Sequence, residues 1–270
     1  MRIKKILAAA IAALCLCSCN ASAPSIDVGA DGVLTYDDFY GKRFSILVGS
    51  IFDEVADKNF APKDKLYFNN VVEEIEAVKL GKTDAALLDD TAAAQSLESG
   101  AYPELTAIDV PIAGLDLPYG VFSTNQDIID KYNAFLAEIE ADGTLAEMQD
   151  RWLRSYALEA TMPDIKMPEN PTGTLKVAIM ATYAPFTFLG SGGEFMGFDI
   201  EQMKRFAASM NMDVEFIDMD FGAMLPFVAS GKADIGGSVY ATAERKESFI
   251  FGNPDYVSKT VLVVKKPQQD

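Results

Sequence analysis

GGSVYATAERKESFIFGNPDYV, residues Gly236 to Val257, is the stretch around which the chain is organised. Gly236, Gly237 and Ser238 read as a small-residue turn that leaves an apolar run. Thr242 to Lys246 then opens a helical-looking piece, and an aromatic run follows before Asn253-Pro254. This order puts free backbone N–H groups, a hydroxyl and the Arg245 guanidinium within one short span. A helix start offers N–H donors and positive dipole, and a guanidinium grips two oxygens at once, so the combination suits a carboxylate. The same residues also read as an ordinary surface turn with a solvated Arg-Lys pair.

Working outward, 270 residues hold one large or two small domains, and 49% apolar with 10% aromatic content suffices for a core. Arg2, Lys4 and Lys5 precede an eleven-residue apolar run, Ile6 to Leu16. That run is too short to span a bilayer and typical of a secretory signal. Leu16-Cys17-Ser18-Cys19 resembles the lipobox of bacterial lipoproteins. The resemblance implies a signal peptide over 1–19 and lipid on Cys19, which would hold the protein to a membrane by its acyl chains. All three cysteines lie in this segment, so no pair remains for an internal disulfide. The chain has no histidine, which removes Ser-His and Cys-His nucleophiles and any His-ligated zinc. A formal charge of -17 argues against nucleic acid and anionic membrane as binding partners.

Asn20 to Leu34 is rich in Ala, Ser, Gly and Pro and reads as a tether, the fold beginning near Tyr36. Phe44 to Val48, Gly49-Ser50 and a helical stretch from about Phe52 form a strand–turn–helix unit. Val71, Val72, Ile75 and Val78 continue at helical spacing, Asp84 to Leu88 is a buried strand, and Ala107 to Ile112 is extended. Ile128 to Ile139 carries one apolar helical face. Thr144 with Glu147 reads as a capping box ahead of Trp152, which is assigned to the core. Thr161 to Thr172 reads as a linker. A second α/β run follows: strand Leu175 to Ile179, loop Ala181 to Gly197, a helix through Met203, strand Val214 to Ile217 and helix Met224 to Val228. Gly231-Lys232-Ala233-Asp234 then repeats Gly81-Lys82-Thr83-Asp84. Two similar α/β lobes would put a shared crevice at their sheet edges.

Leu175 to Lys266 resembles the start of the type II solute-binding proteins of the polar amino-acid transport family. The matching residues are Ala181-Thr182-Tyr183-Ala184-Pro185-Phe186, Gly197-Phe198-Asp199-Ile200, Gly231-Lys232-Ala233-Asp234 and Glu244-Arg245-Lys246. Tyr36 to Leu153 looks like the remainder of that family, through Val48-Gly49-Ser50, Gly81-Lys82-Thr83-Asp84-Ala85, Leu117-Pro118-Tyr119-Gly120 and Ala141-Asp142-Gly143-Thr144-Leu145. The order is inverted: the piece that normally comes last stands first. A circular permutation accounts for this, with one lobe from 36–109 plus 258–270 and another from 110–257. Two incomplete copies from a tandem array are the rival account. The expected fold is thus α/β, two Rossmann-like lobes with a ligand cleft between them, a permuted type II periplasmic binding protein fold.

The resemblance implies that Tyr183 walls the ligand, that Ser238 and Arg245 take its carboxylate, that Ser50 adds donors from the opposite lobe, and that Asp89 accepts from its ammonium. Asp89 and Asp90 also suit helix capping. Tyr240 joins the site at a position commonly Thr in the family, Met180 stands where an Asp is usual, and Ile51 replaces a second hydroxyl. All three make the pocket more apolar or more crowded. They point to a less polar amino acid, another small carboxylate, or lost binding. The function implied is capture of an amino acid or similar small carboxylate, without cofactor or metal and as a monomer, for an ABC permease on the extracytoplasmic side of the membrane. A ligand-sensing module of the same fold is the alternative. An enzyme is disfavoured because no acid/base pair stands at a diagnostic spacing.

Overall fold

The computed structural model describes residues 34–110, 117–154 and 160–267. The expected signal peptide, Cys19 and nearly all of the tether lie outside the described residues. The first sheet holds β1 (Arg43–Leu47), β2 (Asp64–Phe68), β3 (Ala85–Asp89), β4 (Leu105–Asp109) and, from the far end of the chain, β14 (Thr260–Lys265). Its order is β2-β1-β3-β14-β4, with β1 parallel to β2 and β3, and β14 antiparallel to β3 and β4. The helices α1 (Phe52–Phe60), α2 (Val71–Lys79) and α3 (Asp90–Glu98) belong to this unit.

The second sheet is built the same way. It holds β5 (Leu117–Ser123), β6 (Thr174–Ile179), β10 (Asp213–Asp218), β11 (Ile235–Tyr240), β12 (Ile250–Phe251) and β13 (Tyr256–Ser258). The order is β10-β6-β11-β5-β12, with β6 parallel to β10 and β11, β5 antiparallel to β11, and β13 also on β5. Each sheet is therefore three parallel strands followed by one antiparallel strand from a distant part of the chain. The associated helices are α4 (Gln126–Ala141), α5 (Thr144–Gln149), α6 (Phe198–Ser209) and α7 (Phe221–Ala229).

The repeated Gly-Lys-X-Asp does the same mechanical work twice. Gly81 (φ 72°) and Gly231 (φ 71°) take left-handed conformations that end α2 and α7. The following Asp then ties its strand to the neighbour. Asp84 donates its N–H to the Arg43 carbonyl at 2.8 Å, and its Oδ2 accepts the Arg43 N–H at 2.8 Å. Asp234 does likewise with Lys176, at 2.9 and 2.8 Å.

Four local expectations change. Gly236 to Ser238 is no turn but part of β11, and small residues stand there because neighbours press close: a Cβ on Gly236 would sit 2.1 Å from the Phe122 ring. Thr242 to Lys246 forms no α-helix; a single 3-10 turn covers Arg245–Glu247, so no macrodipole is available. The loop Ala181 to Gly197 contains a small antiparallel sheet of β7 (Thr182–Tyr183), β8 (Thr187–Leu189) and β9 (Phe195–Met196). The capping box at Thr144 is absent, because Gly143 is the N-cap and the Thr144 N–H goes to Asp142 Oδ1 at 2.9 Å. Trp152 is core, as the spacing suggests. Its Nε1 donates to Glu201 Oε2 at 2.8 Å, a fully buried carboxylate that Arg151 and Arg205 also hold.

Candidate functional site

A hollow lies where the C-terminal ends of β1 and β3 meet the β11–β5 edge of the second sheet. Leu47, Ser50, Val71 and Asp89 reach it from the first unit, and Tyr119, Tyr183, Phe221 and Tyr240 from the second. Among the described residues lining it, Asp89 alone is charged. The open space is about 20 Å³, which a single water nearly fills. The two units are closed on their own side chains: an added Cβ on Gly49, in the turn after β1, would lie 3.1 Å from the Gly222 Cα in α7.

Asp89 ends β3, is the N-cap of α3 as its capping reading has it, and lines the hollow. Its Oδ1 accepts the Ala92 N–H at 2.8 Å, and its Oδ2 accepts the hydroxyl of Tyr183, which also pairs with the Tyr119 hydroxyl. Tyr183 therefore occupies the carboxylate from across the hollow. Burial pushes the Asp89 carboxyl up to about 6, against the opposing pull of the Tyr183 hydroxyl and the Ala92 N–H.

A second carboxylate lies behind it. Glu74 is one turn along α2 from Val71, on the same face, and is fully buried. Neither oxygen has a hydrogen-bond partner among the described residues. Burial, and then the Asp89 charge, drive its carboxyl well above the usual range. No signal marked Glu74 in the sequence, because an acid near a helix N-terminus normally reads as a solvated, dipole-stabilised side chain.

Arg245 stands at the rim and does not line the hollow. Its Nη1 donates to the Tyr240 carbonyl at 2.8 Å and its Nη2 to the Gly49 carbonyl at 3.0 Å, so it bridges the two units. Its guanidinium lies over the Phe221 ring, 5.8 Å from the centroid. The Thr242 hydroxyl accepts the Arg245 N–H at 3.1 Å and shapes this turn. Ser50 lines the hollow, with its Oγ accepting the Phe52 N–H at 3.3 Å. Tyr240 is buried, its ring 4.4 Å from that of Tyr119 and 6.1 Å from that of Phe52. Ser238 lies on β11, but its side chain is outside the described residues. Ser50, Asp89, Tyr183 and Tyr240 thus share one hollow, and Arg245 guards its edge.

Sequence reasoning did not select Tyr119, Phe52 or Phe221 as site residues. Tyr119 lay within the Leu-Pro-Tyr-Gly motif, Phe52 marked only the start of a helical stretch, and Phe221 was not singled out. Among the described residues no cluster of side chains suits a metal ion, and no helix is long and apolar enough to cross a membrane.

With this geometry in place, comparison with known proteins is informative over the C-terminal part. Residues 175–270 match the bacterial extracellular solute-binding proteins, family 3. A probable histidine-binding protein of Neisseria gonorrhoeae is 36% identical over 98 residues, covering 36% of this chain and 37% of the relative. A probable amino-acid ABC transporter-binding protein of Haemophilus influenzae is 34% identical over 95 residues, 35% of this chain and 37% of the relative. The crystal structure of the L-cystine solute receptor of Neisseria gonorrhoeae, in its unliganded open conformation, aligns at 29% identity over 29% of this chain and 34% of that one, with a TM-score of 0.28. The chain spans little more than a third of the length of these curated relatives. Over residues 175–270 the chain is therefore similar to the bacterial extracellular solute-binding proteins, family 3.

Proposed function

We propose that the protein captures an amino acid or a similar small carboxylate in the hollow between its two sheets, for delivery to an ABC importer on the extracytoplasmic side of a membrane. The observation that carries this reading is the placement of Asp89, a buried carboxylate without a cationic partner among the described residues, where both units contribute walls. The Tyr183 hydroxyl donates to Asp89 Oδ2, the oxygen that a ligand ammonium would take in its stead. Arg245 likewise spends its donors on two carbonyls instead of a ligand carboxylate. Ligand binding is then an exchange: ammonium for hydroxyl at Asp89, carboxylate for carbonyl at Arg245, with Ser50 and Ser238 adding donors. Charge-assisted bonds of about 1.5–3 kcal/mol each, made from both sides, suffice for micromolar affinity and favour the shut state that a permease reads.

Lobes of 36–109 plus 258–270 and 110–257, joined in permuted order, belong to this proposal. So do lipid attachment at Cys19 and a monomeric state. The two-sheet topology supports it, because β14 completes the sheet begun by β1–β4 and β5 completes the sheet of β6, β10 and β11.

Thermal melting against a panel of amino acids tests the reading, and no shift with any of them would sink it. Arg245→Ala should weaken the best ligand by about tenfold or more, by analogy with other charge-assisted contacts. Asp89→Asn should abolish ligand-induced stabilisation while making the empty protein more stable at pH 7, by about 1–3 kcal/mol. The sign follows from its raised carboxyl: stability is fully present below about 4 and is lost as pH rises through about 6. Binding should show the opposite trend. Affinity for an ammonium ligand is expected to fall by about tenfold per pH unit below about 6, as Asp89 takes up a proton. Calorimetry between pH 4 and 8 reads this directly, and a flat profile would remove Asp89 from the site.

A further inference from the structure

Five of the residues that wall the hollow are aromatic. Phe52, Tyr119, Tyr183, Phe221 and Tyr240 all line it, beside a single carboxylate. Phe52 and Tyr119 are inclined to Tyr240 by 80° and 55°, so these three form corners, while Tyr119 and Tyr183 each stack one face on Phe186 and can offer a ligand only the other. Ring faces carry negative quadrupole density and attract a cation, most strongly when water is excluded.

Asp89 is the one carboxylate among the described lining residues; the other side-chain acceptors are the hydroxyls of Ser50, Tyr119, Tyr183 and Tyr240, of which Tyr119 and Tyr183 already pair with each other. A primary ammonium brings three N–H donors and loses free energy for each left unpaired in an apolar site. Asp89 offers two oxygens, but Oδ1 already takes the Ala92 N–H as the cap of α3. Leu47, Ile51, Val71, Leu88 and Val239 supply apolar surface around it. Alkyl groups on the ligand nitrogen would remove the unmet donors and spread the positive charge over methyls that fit against rings. Arg245, at the rim beside Phe221, would exchange its two carbonyl contacts for a carboxylate on the same ligand.

We infer that the hollow selects an N-alkylated ammonium carboxylate, a betaine-type ligand, whose cationic head lies against the faces of Phe52, Tyr119, Tyr183 and Tyr240 and opposite the Asp89 carboxylate. This rests on the reading of the hollow as an amino-acid-type site and names the ligand class within it.

The test is calorimetry of the full chain with glycine betaine, glycine, L-alanine and L-lysine at sub-millimolar concentration. Glycine betaine should bind at least about tenfold more tightly than glycine, a difference attributable to the alkyl head because the carboxylate is shared. Tyr240→Phe should retain that affinity within about threefold, whereas Tyr240→Leu should lose about tenfold or more, the ring face being the attracting group. Phe221→Leu, at a partly exposed position, repeats the comparison should Tyr240→Leu fail to fold, with an expected loss of several-fold. Binding of glycine, L-alanine or L-lysine in preference to glycine betaine overturns this inference and leaves the broader reading standing. Binding of none of the four, with no response to a full amino-acid panel, overturns both. Equal affinity in the Phe and Leu variants overturns the role of the rings.

Discussion

Glu74→Met is expected to raise the stability of the empty protein by about 2–4 kcal/mol at neutral pH. Few surface changes come near that size. The carboxylate is fully buried, has no hydrogen-bond partner among the described residues, and feels the like charge of Asp89. Met keeps the length of the side chain and removes both the desolvation cost and the repulsion. Its neighbours along α2, Val71, Ile75 and Val78, are buried and apolar, so the thioether meets a compatible surface. The pH dependence gives a second reading. A carboxyl raised on folding contributes stability that is fully present below its unfolded value, near 4.5, and is lost as pH rises through the folded one. The gap between variant and parent should therefore be widest at neutral pH and shrink as pH falls toward 4.5. Chemical denaturation at several pH values measures it. A variant no more stable than the parent at pH 7 would mean that the carboxylate is satisfied, and this account of it would fall.

Glu201→Ala should act in the opposite direction, with a loss of about 3 kcal/mol or more. This carboxylate is also fully buried, yet every demand on it is met. Arg151 Nη1 reaches Oε1 at 2.8 Å and Oε2 at 2.6 Å, Arg205 holds Oε1 through Nε and Nη2 at 3.0 and 2.8 Å, and Trp152 Nε1 adds a bond at 2.8 Å. Removing it strands two mostly covered guanidiniums and the indole N–H, and leaves a void where the Trp152 segment docks on α6. A melting temperature within a degree of the parent would show that the cluster is mere decoration. The pair of acids is instructive: equal burial and opposite predicted sign, decided by whether donors surround the charge.

Much of the architecture could be read along the chain. The apolar face from Ile128 to Ile139, the buried strand read over Asp84 to Leu88 and the doubled Gly-Lys-X-Asp all depend on local periodicity, on left-handed glycines and on short-range capping. The elements that were missed are those without such a signal. β2 is an edge strand that is largely exposed or half-buried, so it has no clear apolar alternation. α3 begins in Asp-Thr-Ala-Ala-Ala and carries little amphipathic contrast. The strands of the 181–197 segment have two or three residues each and exist through pairing across the hairpins. The Gly236–Ser238 stretch was misread as a turn because glycine signals both tight turns and close packing. Only the Phe122 ring, brought from β5, distinguishes the two.

For the site, the chain alone determined the residue types in play: a hydroxyl after a glycine, an aspartate after a buried strand, an arginine after Thr-Ala-Glu, and no histidine. What folding decided is which of those groups have spare bonding capacity. Arg245 is engaged by carbonyls from both units, Tyr183 reaches across to Asp89, and Glu74 ends up buried with no donor among the described residues. Periodicity reports which face of an element turns inward, since that depends on neighbours a few residues away. Partners that lie tens to hundreds of residues apart, and the water excluded between them, are settled only when two sheets close on one another.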